Sequence, residues 1–390
     1  MLGLYLLVAI VSAAAVAASP TVFAQWSSLN YSWDATHTYQ GYIDSEKFIV
    51  INNALAGIKV DSSQNVYVTV PRWREGVPAT LNKLVLNTES DGYDLQPYPS
   101  WDMQAEDTLG ALQNCQSMII DSKNRMWVIE VGRKYFLSDS PGVTIENAPA
   151  GVWVIDMDTD TVISKYYFPD EVAPYNSSFV NDIVLDEVNE IAYLTDAGDE
   201  GALIVYDFNN GVSRRYVGES TGRDPSYVFT VNGENYGTDI FTTPVDGIAI
   251  SGDAFFVYYC SVQGTYLYRL PTAVLRDFSA TWGEIDAEVV NLGYKPPSDG
   301  MQMWGDLLYY GSLPESTYYA LDTEAATMRN LTTAAVPVWP DATEMRWVDT
   351  FSLDPSDTER LWFVSNGLDR FIMRTMDFTG KSGPNFRIQW

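Results

Sequence analysis

Three aspartates and two amides recur at one position of a repeated segment, and they are the side chains best placed to act together. Six apolar stretches, ending at Asp61, Asp121, Asp186, Ser251, Trp304 and Asp354, align on their last residue. Five positions before it stand Ala56, Gln116, Asn181, Asp246, Asp299 and Asp349. One step further along stand Gly57, Ser117, Asp182, Gly247, Gly300 and Thr350. Gathered around one funnel, these groups suit a cationic amine: carboxylates pair with ammonium, and Trp or Tyr faces add cation–π attraction of roughly 0.5–2 kcal/mol. The same oxygens suit Ca2+, with Asn181, Asp246 and Asp299 as donors, and a bound metal would activate water for hydrolysis. Crowded carboxylates also raise one another's pKa, which would let Asp182, Asp246 or Asp349 shuttle protons. The reading without function is that these side chains cap strand ends and hold channel water. Trp73, Trp347 and Tyr175 stand nearby, although large rings more often pack than bind.

Counts exclude other chemistries. His37 is the only histidine and lies outside the repeats, so a Ser-His-Asp triad or a histidine metal site is hard to build. Cys115 and Cys260 are the only cysteines, which rules out a zinc cluster or a disulfide-dense scaffold. They form one disulfide if they approach in space, or pack as two buried thiols. Lys and Arg number 23 against 51 Asp and Glu, a net charge of −28. That balance argues against nucleic acid and against an anionic membrane surface. It favours cations, cationic small molecules or plain solubility.

The elements that would carry the ring are strands. In each copy an apolar strand ends at Asp or a small turn, and an aromatic-rich strand follows. Examples are Gly57–Asp61 then Val66–Val70, Met118–Asp121 then Met126–Ile129, and Phe351–Asp354 then Leu361–Val364. A third strand follows in most copies, as in Val152–Asp156 and Leu203–Asp207. Copies recur roughly every 50 to 65 residues, and helical periodicity is nearly absent. The fold expected is all-β, a six-bladed β-propeller in one domain. Only about three strands fit after the sixth inner one. Lys47–Asn52 precedes the first copy and has no partner, so it is expected to supply the missing strand of the last blade.

Leu2–Ala18 is apolar and small, as in a secretion signal, with cleavage sites after Ala17 or Ala24. A signal over residues 1–24 and one domain over 25–390 is the expected division, for a secreted, extracellular protein. Asn30, Asn176 and Asn330 lie in N-x-S/T sequons that would carry glycans.

Specific motifs narrow this reading. Pro71-Arg-Trp-Arg-Glu-Gly-Val-Pro-Ala-Thr-Leu-Asn82 resembles the hallmark segment of the yellow/major royal jelly protein family. Asp121–Val128, Asn181–Asp186, Leu203–Asp207, Asp246–Ser251, Gly311–Leu313 and Leu361–Asn366 fit the same pattern, from about Gly57 to Phe371. The resemblance implies a secreted propeller that binds small molecules, biogenic amines among them, in its central funnel. It also implies polar ligand contacts on the last blade, which carries over to Thr350 and Asn366. Some relatives act in melanin formation, with dopachrome isomerase activity, and others are storage proteins. A more distant likeness is to metal-dependent lactonases of the gluconolactonase type, with Asn181-Asp182 and Asp246-Gly247 at ligand positions. Their first-blade acid is replaced by Ala56-Gly57. Three functions therefore stand open: binding of an amine or catechol-derived molecule, isomerase or lactonase catalysis, and an extracellular storage or structural role.

Overall fold

A computed structural model describes residues 19–138, 149–328, 334–357 and 360–390. It contains six four-stranded antiparallel sheets. Blade 1 is Ile58–Val60, Val66–Thr69, Leu81–Asn87 and Gly92–Pro97. Blade 2 is Cys115–Ile120, Arg125–Glu130, Gly151–Asp156 and Thr161–Tyr167. Blade 3 is Val180–Asp186, Ile191–Asp196, Ala202–Asp207 and Val212–Tyr216. Blade 4 is Val245–Ile250, Phe256–Ser261, Tyr266–Pro271 and Val290–Tyr294. Blade 5 is Met301–Trp304, Leu307–Ser312, Thr317–Asp322 and Ala335–Pro337. The first strand of each blade touches its counterparts on both sides, from blade 1 round to blade 6 and back. The sheets are thus arranged as a six-bladed β-propeller, as the repeat implied.

Burial follows position in the blade. The second strands of blades 3 and 6 are buried throughout, because neighbouring blades cover both faces. The outermost strand of blade 2 alternates exposed and half-buried residues along Thr161–Tyr167. The aspartates that end the inner strands earn their place locally. Asp121 accepts the backbone N–H groups of Lys123 and Arg125 (3.0 and 2.9 Å), and its second oxygen takes the Trp127 indole N–H at 2.9 Å. Asp354 does the same for Ser356 and Trp362. One carboxylate therefore closes the hairpin and orients the next strand's large ring.

Ring closure differs from expectation. Blade 6 is ordered Val22–Trp26, Phe386–Gln389, Leu361–Asn366, Trp347–Leu353. Val22 pairs with Gln389 and Trp26 with Phe386, and Thr21 and Trp390 exchange backbone bonds at 2.8 and 3.1 Å. Lys47–Asn52 is not that strand. Its last residues, Val50–Asn52, form a 3-10 turn. Ile49 N–H bonds Gly76 O at 3.0 Å, while Asn53 ties the carbonyls of Ile49 and Gly76. The segment braces the Pro71–Asn82 loop instead. Processing after Ala24 would cut the closing strand; processing after Ala17 leaves it whole.

The disulfide alternative is also corrected. Cys115 and Cys260 are both free, buried thiols on blades 2 and 4, not a disulfide. Among the sequons, Asn176 is exposed. Asn30 is half-buried and its amide donates to Asp94 at 3.1 Å, so a glycan there would break that bond. Asn330 lies outside the described residues.

Glycine at two inner strands permits close approach between blades. A Cβ on Gly247 would lie 2.4 Å from Asp299 O, and one on Gly300 would lie 2.6 Å from Asp349 O. Both contacts are with backbone that cannot rotate away. Gly300→Ala is therefore expected to cost more than about 2 kcal/mol by overpacking. Urea unfolding would show it, and an unchanged midpoint would refute the close-approach argument.

Candidate functional site

The ring predicted from alignment forms because the inner strands are irregular there. Register shifts fall between Cys115 and Met118, Val180 and Ile183, Val245 and Ile248, and Val348 and Phe351. Each gap holds two ring residues: Gln116-Ser117, Asn181-Asp182, Asp246-Gly247 and Asp349-Thr350. In a regular strand, consecutive side chains point to opposite faces; a bulge re-aims them. Threonines on second strands satisfy the disturbed backbone. Thr69 Oγ1 accepts Gly57 N–H at 2.7 Å and donates to Gln116 O at 2.8 Å. Thr195 Oγ1 accepts Asp182 N–H at 3.1 Å and donates to Asp246 O at 2.6 Å. Each hydroxyl staples one blade to the next.

Two layers result. Gln116, Asn181, Asp246, Asp299 and Asp349 line a cavity of about 390 Å3, at the small end of ligand pockets. Asn181 Nδ2 donates to Asp246 Oδ2 at 2.6 Å, and the Trp347 indole N–H donates to Asp299 Oδ2 at 2.6 Å. Asp182 and Thr350 are not in the cavity wall. Asp182 accepts Ser117 Oγ–H at 2.9 Å, and Thr350 lies within hydrogen-bond distance of Asp349 Oδ1 (3.0 Å) and Ala56 O (3.2 Å). Asn366 also stands behind the wall. Its amide N–H groups bond Asp349 Oδ2 (2.8 Å) and Leu55 O (2.9 Å), and its oxygen accepts Leu368 N–H. A side chain with these bonds holds Asp349 in place.

Electrostatics set the ring's protonation. Burial raises Asp246 far above the usual carboxylate range, and Asp299 beside it raises it further. Burial and the Asp299 charge do the same to Asp349. Asp299 itself is pushed up to about 6, chiefly by burial, with the Trp347 N–H opposing. Burial also raises Asp182, opposed first by Lys59. Lys59 is lowered by burial while its ammonium donates to Phe351 O at 2.7 Å. Crowded carboxylates facing one cavity hold shared protons near neutral pH.

The ring does not fit Ca2+. Asn181 and Trp347 aim N–H donors at the Asp246 and Asp299 oxygens, and blade 1 offers Ala56 where a further acid would stand. Among the described residues no three His, Cys, Asp or Glu side chains are placed to hold a metal together.

Above the ring the walls carry Trp73, Phe136, Phe179, Phe241, Trp347, Leu368 and Ile372, with Arg133 and Asp199 among them. Trp73 and Trp347 thus meet the cavity, whereas Tyr175 is 43% exposed and stays outside it. His37 stacks on Trp101 at 4.6 Å in the N-terminal segment, away from the cavity. The ring alignment missed Arg133, Phe136, Phe179 and Phe241. They sit in loops that follow a second strand or precede an inner strand, and all such loops open on the ring's face. The segment from Arg223 to Thr243 adds a hairpin, Phe229–Val231 with Glu234–Gly237. Phe229 stacks on Phe241 at 4.7 Å, and Tyr236 donates to Asp369 at 2.5 Å. This hairpin builds one wall and pins it to blade 6.

The hallmark segment positions Trp73. Arg72, fully buried, donates to the carbonyls of Val77, Leu112, Gln113, Pro78 and Gln104 at 2.6–3.2 Å. Arg74 donates to the carbonyls of Leu137, Phe371 and Ile372 and lies over the Phe371 ring at 4.4 Å. Between these clamps the Trp73 indole reaches the funnel and donates to Gln116 Oε1 at 3.0 Å.

Comparisons agree with this architecture. The chain is 25% identical over 259 residues to major royal jelly protein 7 of Apis mellifera, covering 64% of this chain and 55% of that protein. Protein yellow of Drosophila melanogaster is 30% identical over 201 residues, 50% of this chain and 36% of its own length. Protein yellow of Drosophila subobscura is 24% identical over 93% of this chain and 64% of its own length. The chain thus spans only part of each relative. Among solved structures, a luciferin-regenerating enzyme superposes with a TM-score of 0.51 at 10% identity, covering 86% of this chain and 90% of that one, which supports the fold alone. The major royal jelly protein family model matches residues 114–389, from the start of blade 2 to the blade 6 strand Phe386–Gln389. The chain belongs to the major royal jelly protein family.

Proposed function

We propose that this protein is a secreted binder of a small organic amine, aromatic or catechol-derived, held in the central funnel. The observation that carries this is one cavity with three crowded carboxylates at its floor and Trp73, Trp347 and Phe241 on its walls. An ammonium group supplies the positive charge that the ring otherwise takes from protons, and aromatic walls bury a flat body. The apolar stretch Leu2–Ala18 and exposed Asn176 support the extracellular setting.

Isothermal titration with phenethylamine, tyramine, dopamine and serotonin tests the reading. Saturable binding is expected, with protons released on binding because ammonium favours the charged carboxylates. Asp349→Asn removes one charge-assisted contact and is expected to weaken binding about tenfold or more. No binding by any of the four would sink the proposal and leave the storage role. The paired Asp246 and Asp299 also have the makings of a general acid and base, so the protein mixed with a preformed aminochrome, the oxidised and cyclised form of a catecholamine, and followed by absorbance would reveal isomerase turnover.

A further inference from the structure

Arg133 is the one basic side chain in the cavity wall. Arg72 and Arg74 show what structural arginines look like in this protein. Arg72 gives its fork to five backbone carbonyls, and Arg74 gives its own to three and covers a ring. Arg133 makes one such bond, from Nη1 to Ser178 O at 2.9 Å. Among the described residues no carboxylate forms an ion pair with it. Arg214, Arg223 and Arg269 also form none there, so what sets Arg133 apart is its place in the cavity wall. Asp199 lines the same wall and is near enough to favour its charge without forming an ion pair, and Asp196 is already paired with Arg215. A half-buried guanidinium with open donors, facing a cavity beside Phe136 and Phe179, is built to receive an oxyanion.

We infer that the funnel selects amphoteric ligands, with an ammonium at the aspartate ring and a carboxylate or comparable oxyanion on Arg133, joined by a flat apolar body. This rests on the amine-binding reading of the same cavity and adds the second pole. Such a ligand is neutral overall, so the strongly negative charge of the protein would not repel its anionic end from the mouth. The opposite poles also fix its direction, because reversal would set carboxylate against Asp246, Asp299 and Asp349.

The test compares matched pairs by isothermal titration: 4-(aminomethyl)benzoate against benzylamine, and 4-(2-aminoethyl)benzoate against phenethylamine. At least one carboxylated member is expected to bind about tenfold or more tightly than its partner. In Arg133→Gln, which stays polar but loses the charge, that preference is expected to vanish while plain amine binding is not weakened. Equal affinity within both pairs, or a preference that survives Arg133→Gln, overturns the inference and leaves the amine reading intact. Failure of all four compounds overturns both.

Discussion

Arg72→Met is expected to cost the fold more than about 4 kcal/mol, the largest effect of any single substitution considered for this protein. Methionine fills a similar space but leaves five buried carbonyls without a donor. Each unsatisfied buried group costs about 1–3 kcal/mol, and loop relaxation recovers part of the sum. The damage extends beyond the loop itself. Arg72 holds the carbonyls of Leu112 and Gln113, while Glu130 accepts the N–H groups of Gln113, Asn114 and Gly132 at 2.6, 2.9 and 3.0 Å. A cation and an anion therefore grip one stretch of backbone between blades 1 and 2 from opposite sides. Arg72→Lys keeps the charge but loses the planar fork, so it is expected to fall between the two. Urea unfolding of the three proteins decides the matter. A methionine variant within about 1 kcal/mol of the parent would show that water or rearranged backbone satisfies those carbonyls. Trp73 adjoins the clamp, so a folded but loosened variant is expected to lose ligand binding as well.

The second large expectation is that acidification stabilises this protein. Asp246, Asp299 and Asp349 have folded pKa values raised above those of the unfolded chain, so the folded state binds more protons between about pH 4 and the raised values. The stabilisation is fully present below about pH 4 and is lost as pH rises through the folded values. Carboxylates with lowered pKa, such as Asp377, act in the opposite sense but below the usual carboxylate range, outside this window. The melting temperature is therefore expected to rise from about pH 7.5 to about pH 5. Lower net charge favours the compact state over the same range, so a variant must separate the two causes. Asp246→Asn copies the protonated acid, keeping a donor toward Asp299 and an acceptor for Asn181. It is expected to raise stability at about pH 7.5 and to flatten the pH dependence. An unchanged slope, with a less stable variant, would place the proton uptake elsewhere. Amine affinity should run the other way and strengthen with rising pH, because ammonium competes with the ring's protons.

Much of this was legible in the residues because it is local. Alternating apolar strands ending at Asp61, Asp121, Asp186 and Asp354 specify hairpins through bonds a few residues long. Six such units lacking helices leave a propeller as the way to protect their edges. The ring could be aligned because every inner strand starts on the same face. Non-local choices were another matter. Val22–Trp26 and Lys47–Asn52 are both apolar enough for a strand, and only the pairing with Phe386–Gln389 selects the first. Asn366 can be named from the sequence, but not the partners Asp349, Leu55 and Leu368 that the fold brings to its amide. Cys115 and Cys260 read equally well as a bond or as two thiols until their blades are placed. Arg72 and Arg133 are the same residue type in similar loops. What separates a clamp from a free cation is the number of carbonyls that distant segments bring to each. The sequence by itself determined the strands, the turns and the ring's composition, because those follow from side-chain period and short-range bonding. Tertiary structure decided which residues face the cavity, which stand behind them and which charge is left unpaired, because each depends on partners distant in the chain.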